Sequence, residues 1–187
     1  MSLYASGSQT VGPYLHIGMT WLNTARIAGT GVKGERVTIL GRLLDGDGAG
    51  VSDGLIEIWQ ANAAGKYAHA EDRQRKRLEK GFRGFGRIPT DGEGRFRFST
   101  IVPGRVPGPG GRLQAPHLNV TVFMRGLLKQ LSTRIYFPGE AANIQDPLLK
   151  LVPAARRATL VARRKAKGVL EWNIALQGRD ETVFFDF

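Results

Sequence analysis

The chain contains no cysteine. That excludes disulfides, thiolate zinc sites, iron–sulfur ligation and a cysteine nucleophile. Histidine is scarce as well, at three in 187 residues, so an imidazole-based site has few places to form. No apolar run approaches the roughly 20 residues that a membrane-spanning helix needs, which argues against a membrane partner. The opening stretch "MSLYASGSQTVGPYLHIGMTWL" has neither a basic n-region nor a continuous apolar h-region. The expectation is a cytoplasmic protein without a signal peptide. Acidic residues are also in deficit, 16 against 27 Lys and Arg, for a net charge of +11.

That positive charge is the strongest compositional feature, and it is concentrated in residues 71–87 and 156–167. A basic surface attracts nucleic acid, anionic membranes, acidic proteins and small carboxylates alike. A chain of 187 residues suits one domain, and a domain of this size buries roughly 70% of its unfolded surface without a covalent staple.

Glycine (25) and proline (9) punctuate short alternating segments. "RVTILGRLL" (36–44) places Val37, Ile39, Gly41 and Leu43 on one face. Further strand candidates are 55–61, 95–101, 117–125, 132–137, 169–177 and 182–187, with 169–177 carrying the period-two pattern of a half-buried antiparallel strand. About seven short strands separated by Gly/Pro-rich turns predict an all-β, antiparallel β-sandwich with long connecting loops. The best helix candidate is "PAARRATLVARRKAK" (153–167), with Pro153 in a permissible first-turn position. There is no internal repeat and no interdomain linker.

Three motifs carry candidate chemistry. "DGDGAGVSDGLIE" begins like a calcium loop with Asp45, Asp47 and Gly50, but Ile56 stands where a bidentate glutamate is required. It reads instead as a hairpin turn between two strands. "RGFGRIPT" (83–90) matches the start of an RNA-recognition signature, yet Arg87 and Thr90 replace the stacking aromatics on which bases would rest. Basic nucleic-acid binding stays an alternative on charge alone. Lastly, "HLN" (117–119) is half of a His-x-His pair. On a strand, residues i and i+2 share a face, so such a pair could offer two imidazoles to one metal ion. A lone histidine on an apolar strand is more often a hydrogen-bonded core residue than a ligand.

The stretches "SQTVGPYLHIG" (8–18), "IEIWQANAAGKY" (56–67), "TDGEGRFRFSTIVPG" (90–104), "APHLNVTVFMRG" (115–126), "TRIYF" (133–137) and the terminal "ETVFFDF" together resemble the intradiol ring-cleaving dioxygenases. The resemblance covers nearly the whole chain and is closest to the alpha-type chains of the family's two-subunit members. It implies a β-sandwich, with residues 1–20 as an arm lining a partner's active site. In catalytic chains of this family two tyrosines and two histidines hold a non-haem ferric ion. Phenolates are hard anionic donors that suit Fe(III). By the resemblance, Tyr67 matches the first tyrosine, Val106 stands in place of the second, His117 matches the first histidine and Asn119 replaces the second.

With two ligands gone, the resemblance implies a vestigial site at Tyr67, Val106, His117 and Asn119 that binds no metal and performs no catalysis. Fe(III) would then belong to a partner beta subunit, in a higher-order hetero-oligomer of alpha–beta pairs. The implied substrates are protocatechuate (3,4-dihydroxybenzoate) and O2, and the implied product is 3-carboxy-cis,cis-muconate. The substrate-lining residues implied in this chain are Thr10, Gly12, Pro13 and Arg125. A Gly-Pro turn lets rigid backbone approach a flat ring, and an arginine favours a substrate that carries a carboxylate. A self-sufficient, iron-bearing catechol dioxygenase is the alternative within the family, and the Val106 and Asn119 departures count against it.

Overall fold

The computed structural model describes residues 7, 9–12, 15 and 17–186. Its strands are β1 (Arg36–Leu44), β2 (Leu55–Trp59), β3 (Phe85–Pro89), β4 (Arg95–Ile101), β5 (Val106–Pro107), β6 (Leu113–Gln114), β7 (His117–Phe123), β8 (Leu131–Tyr136), β9 (Arg163–Ala166), β10 (Val169–Glu171) and β11 (Ile174–Ala175). They form two sheets and a small ribbon. One sheet runs β4–β1–β10–β9, with β11 continuing the line of β10 along β1; the other runs β3–β2–β7–β8; β5 and β6 pair alone.

Strand β1 follows directly from its pattern. Val37, Ile39, Gly41 and Leu43 are all buried, and the alternate residues face outward. It pairs antiparallel with β4 along its whole length, from Arg36↔Ile101 to Arg42↔Arg95. Gly41 is needed because a Cβ there would collide with the Trp172 carbonyl and the Phe96 ring. The core lies between the two sheets: Ile39, Phe98 and Trp172 of one meet Ile58, Leu118 and Val120 of the other.

The second sheet is antiparallel throughout. Strand alternation gives it a second face, turned away from that core, which carries Trp59, His117, Asn119, Arg134 and Tyr136. Tyr136 packs there with Ala115, Leu149 and Leu160 in a separate apolar cluster. This outer face positions the first candidate site.

Several local expectations are revised. The 153–167 stretch forms a 3-10 helix only over Ala154–Leu160. Val161 then bridges Tyr136, and Arg163–Ala166 becomes the edge strand β9 against β10. Its exposed charges suit an edge, where they discourage pairing with other chains. Arg163 and Lys165 each reach Glu171 at 2.9 Å.

Residues 169–177 do lie along β1, but parallel to it, and the strand is interrupted at Trp172–Asn173. The break stays hydrogen-bonded because Asn173 Oδ1 accepts the Arg42 N–H at 3.0 Å. The 45–50 turn joins strands of different sheets and is not a β1–β2 hairpin. Asp45 organises it by accepting the N–H groups of Asp47 and Ala49. At the C-terminus, Phe185 makes a single bridge to Ser132 and no strand forms over 182–186. Strand β3 was absent from the expected strands and lies inside the RNA-like motif.

Candidate functional site

Two groups of the expected residues assemble, at opposite ends of β7. The first is on the outer face of the second sheet. His117 and Asn119 project together from β7. Pairing sets Tyr136 opposite His117, Arg134 opposite Asn119, and Trp59 on the other side of Asn119. Tyr67 arrives from the loop after β2. Asn62 Oδ1 accepts the N–H groups of Ala64 and Lys66, turning the chain through Gly65 at φ +76°, and Asp72 Oδ2 accepts the Tyr67 N–H at 2.7 Å. The Tyr67 ring thereby stacks on Trp59 with centroids 5.8 Å apart and planes 10° from parallel. His69 meets Trp59 edge-on at 6.2 Å.

Tyr67, Val106, Trp59, His69 and Arg73 line an open cleft of about 800 Å³. Asn119 touches it through Tyr67, since its Nδ2 donates to the phenol oxygen at 3.4 Å. His117 is buried beside them. Its Nδ1 lies 2.7 Å from the Ala115 carbonyl, which can only accept, so Nδ1 carries the proton. Nε2 is left as a buried lone pair without a hydrogen-bond partner among the described residues. Burial, assisted by the Arg134 charge and opposed by the Ala115 carbonyl, pushes the His117 pKa down to about 4.

Burial likewise raises the phenols of Tyr67 and Tyr136 above the ordinary tyrosine value. For Tyr67, the Asn119 hydrogen bond and the Arg134 charge oppose the rise, and Asp72 adds to it. Arg134 itself donates from Nη1 to Gln114 Oε1 at 2.6 Å. Asp146, wholly buried, holds the surrounding frame. It accepts the Ala115 N–H, the Tyr136 hydroxyl and the N–H groups of Leu148 and Leu149.

These residues do not fit a ferric ion. Val106 has no donor atom, and the Asn119 amide points a hydrogen at the very oxygen that would ligate. Arg134, opposite Asn119 on the same sheet face, adds a positive charge beside the two remaining donors, Tyr67 and His117.

The second group gathers where β7 ends. Thr10 Oγ1 accepts the Gly126 N–H at 3.0 Å and donates to the Met124 carbonyl at 3.5 Å, clamping the arm to the turn that follows β7. Gly12, Val11, Leu15, Leu55, Asp53 and Arg125 line a cleft of about 200 Å³. Arg125 forms an ion pair with Asp53, yet its side chain stays 75% exposed. Pro13 lies outside the described residues. From Asn119 the strand runs roughly 13 Å to Phe123 before the turn that carries Arg125. The two groups line separate clefts.

The RNA-like motif is occupied structurally. Arg87 lies 3.6 Å from Glu57, and Thr90 is buried in hydrogen bonds to Val51 and Gly54. Neither presents a surface for base stacking. Asp53, Arg134, Gln114 and Asp146 were not singled out in the sequence. Only Asp146 had a local signal, as an Asp-Pro helix start; Gln114 and Arg134 depend on strand register, and Asp53 on the turn before β2.

A family profile described as "Dioxygenase" matches residues 14–178. A protocatechuate 3,4-dioxygenase alpha chain from Burkholderia cepacia is 44% identical over 201 aligned residues, covering 99% of this chain and 98% of that one. A protocatechuate 3,4-dioxygenase beta chain from the same organism is 39% identical over 158 residues, covering 80% of this chain and 67% of that one. Among solved structures, the dioxygenase domain of a carbohydrate-binding fusion protein from Streptomyces sp. SirexAA-E superposes with a TM-score of 0.64 at 24% identity, over 86% of this chain and 89% of that one. That likeness concerns the fold. Sequence and architecture agree: the chain belongs to the intradiol ring-cleaving dioxygenase family.

Proposed function

We propose that this chain is the iron-free, alpha-type subunit of a protocatechuate-cleaving intradiol dioxygenase, pairing with a beta-type chain that carries non-haem Fe(III). It acts as a single domain in the cytoplasm, with residues 1–20 forming an arm toward the partner's pocket. The ring opens in the partner, between the two hydroxyl-bearing carbons, with both oxygen atoms of O2 incorporated to give 3-carboxy-cis,cis-muconate. The partner's ferric ion supplies activation of the diol.

This chain's residues bind and orient. Arg125 offers a guanidinium to the substrate carboxylate, a charge-assisted and geometrically selective contact. Gly12 lets backbone approach the ring closely, Pro13 is the other proposed substrate-lining residue of the arm, and Thr10 fixes the arm to the turn beside Arg125. The observation that supports this reading is that Gly12 and Arg125 line one cleft, with Thr10 bonded to Gly126 beside Arg125, while Tyr67 lines another.

Co-expression with a beta-type chain tests it. The purified complex is expected to contain iron and to consume O2 with protocatechuate, whereas this chain alone does neither. Turnover by the isolated chain, with the visible absorption of a tyrosinate–Fe(III) centre, would overturn the proposal in favour of a self-sufficient enzyme.

A further inference from the structure

We propose that Arg134 occupies the electrostatic place of a metal ion on the outer face of β2, β7 and β8, so that this chain rejects iron by charge as well as by lacking ligands. The inference rests on the reading above in one respect, that the wild-type chain is iron-free. It adds a residue and a cause that the missing donors alone do not supply.

The placement comes from register. Arg134 is the direct cross-strand partner of Asn119, and its i+2 neighbour Tyr136 is the partner of His117. All four therefore leave the sheet on the same side. The guanidinium is bonded to Gln114, which itself pairs with Val106 across the β5–β6 ribbon and donates from Nε2 to the Pro107 carbonyl at 3.2 Å. Arg134 is thus tied to the strand bearing His117 and Asn119 and to the ribbon bearing Val106.

The residue type matters. A lysine or histidine in this position could surrender its proton and admit a metal. Arginine does not deprotonate in proteins, so no accessible pH opens the site. A fixed positive charge on the sheet face that would hold a trivalent ion is repulsive even at an effective dielectric of about 20. The consequence is functional. An assembly of paired chains keeps one kind of iron centre, because the related site in this chain cannot compete for the metal.

The test restores the donors and varies only the charge, in the full-length chain. Val106→Tyr with Asn119→His is made alone, with Arg134→Met, and with Arg134→Lys, each checked for folding by circular dichroism and thermal melting. Ferric nitrilotriacetate is titrated while iron content and the visible tyrosinate–Fe(III) band are recorded. The Met-containing triple variant is expected to load iron at least ~100-fold more tightly than the double variant, given the charge repulsion removed, with the Lys variant falling between them because its ammonium can give up the proton. Equal loading of the double and Met variants overturns the proposal, as does failure of every folded variant to load.

Should the Val106 change prevent folding, Asn119→His with and without Arg134→Met leaves the ribbon untouched. Zinc binding by calorimetry then reads the same charge effect, with tighter binding expected when Arg134 is replaced and unchanged binding counting against the idea. The wild-type spectrum is a separate arm: an iron band there sinks the iron-free reading itself, whatever the variants do.

Discussion

The amide nitrogen of Asn119 lies 3.4 Å from the phenol oxygen of Tyr67, donor to acceptor, on a sheet face where Trp59 stacks under the same phenol ring. Burial is the largest influence on that phenol and raises its pKa. The folded protein therefore prefers the protonated form. This contribution to stability is complete below the ordinary tyrosine pKa near 10 and is lost as pH rises through the folded value. A difference titration at 295 nm between wild type and Tyr67→Phe should reveal a phenol ionising later than a free tyrosine. Because the replacement keeps the stacked ring and removes one long hydrogen bond, it should cost no more than about 1 kcal/mol. In the assembled enzyme it should leave iron content unchanged; a proportional loss of iron would mean that Tyr67 ligates metal after all.

His117 gives a prediction at acid pH. Its pKa falls from 6.5 to about 4, chiefly through burial, so folding favours the neutral ring. Stability from this residue is present above pH 6.5 and declines as pH falls toward 4, since the unfolded chain binds the proton more readily. A shift of this size corresponds to about 3 kcal/mol in total at 1.36 kcal/mol per pKa unit. Urea unfolding at pH 7 and pH 4.5 should show a smaller acid loss for His117→Gln than for wild type. Identical losses would show that carboxylates elsewhere account for all of the acid sensitivity.

Much of the fold was legible because one face of each long strand is buried. β1 and β4 were readable to the residue from alternation alone. Direction was not, since a period-two pattern is the same for parallel and antiparallel pairing, and 169–177 turned out parallel to β1. β3 was hidden because its inward positions include Gly86, which has no side chain to mark a face. The 153–167 stretch is rich in helix formers, but pairing of Val161 with Tyr136 and of β9 with β10 overrode that local preference. At the site, Tyr67, His117 and Asn119 could be picked out by motif. Arg134 and Asp53 could not, because their roles depend on which residue lies across the strand or beyond a turn.

Gly41 tests how closely the two sides of β1 are packed. An added Cβ would meet the backbone carbonyl of Trp172, which cannot swing aside, as well as the Phe96 ring. Glycine within a strand often marks such a close approach. Gly41→Ala should destabilise the chain by about 1–3 kcal/mol, the usual cost of overpacking a core. Thermal or urea unfolding measures it. A neutral result would mean that β10 and β11 can separate from β1 without loss, contrary to their continuous register.

Arg125 separates substrate recognition from architecture. Its pair with Asp53 is largely exposed on the arginine side, and exposed pairs add at most about 1 kcal/mol to stability. Arg125→Ala should therefore leave folding and assembly intact. A charge-assisted hydrogen bond to a substrate carboxylate is worth about 1.5–3 kcal/mol, so its loss should raise KM for protocatechuate roughly 10- to 150-fold. Catechol has the same diol and no carboxylate, and its KM should hardly change. Added salt should weaken protocatechuate binding in the wild type more than in the variant, because screening removes an attraction the variant no longer has. Steady-state kinetics of the co-assembled enzyme on both substrates decides the matter. Equal losses on the two would assign Arg125 to the subunit contact instead of to the carboxylate.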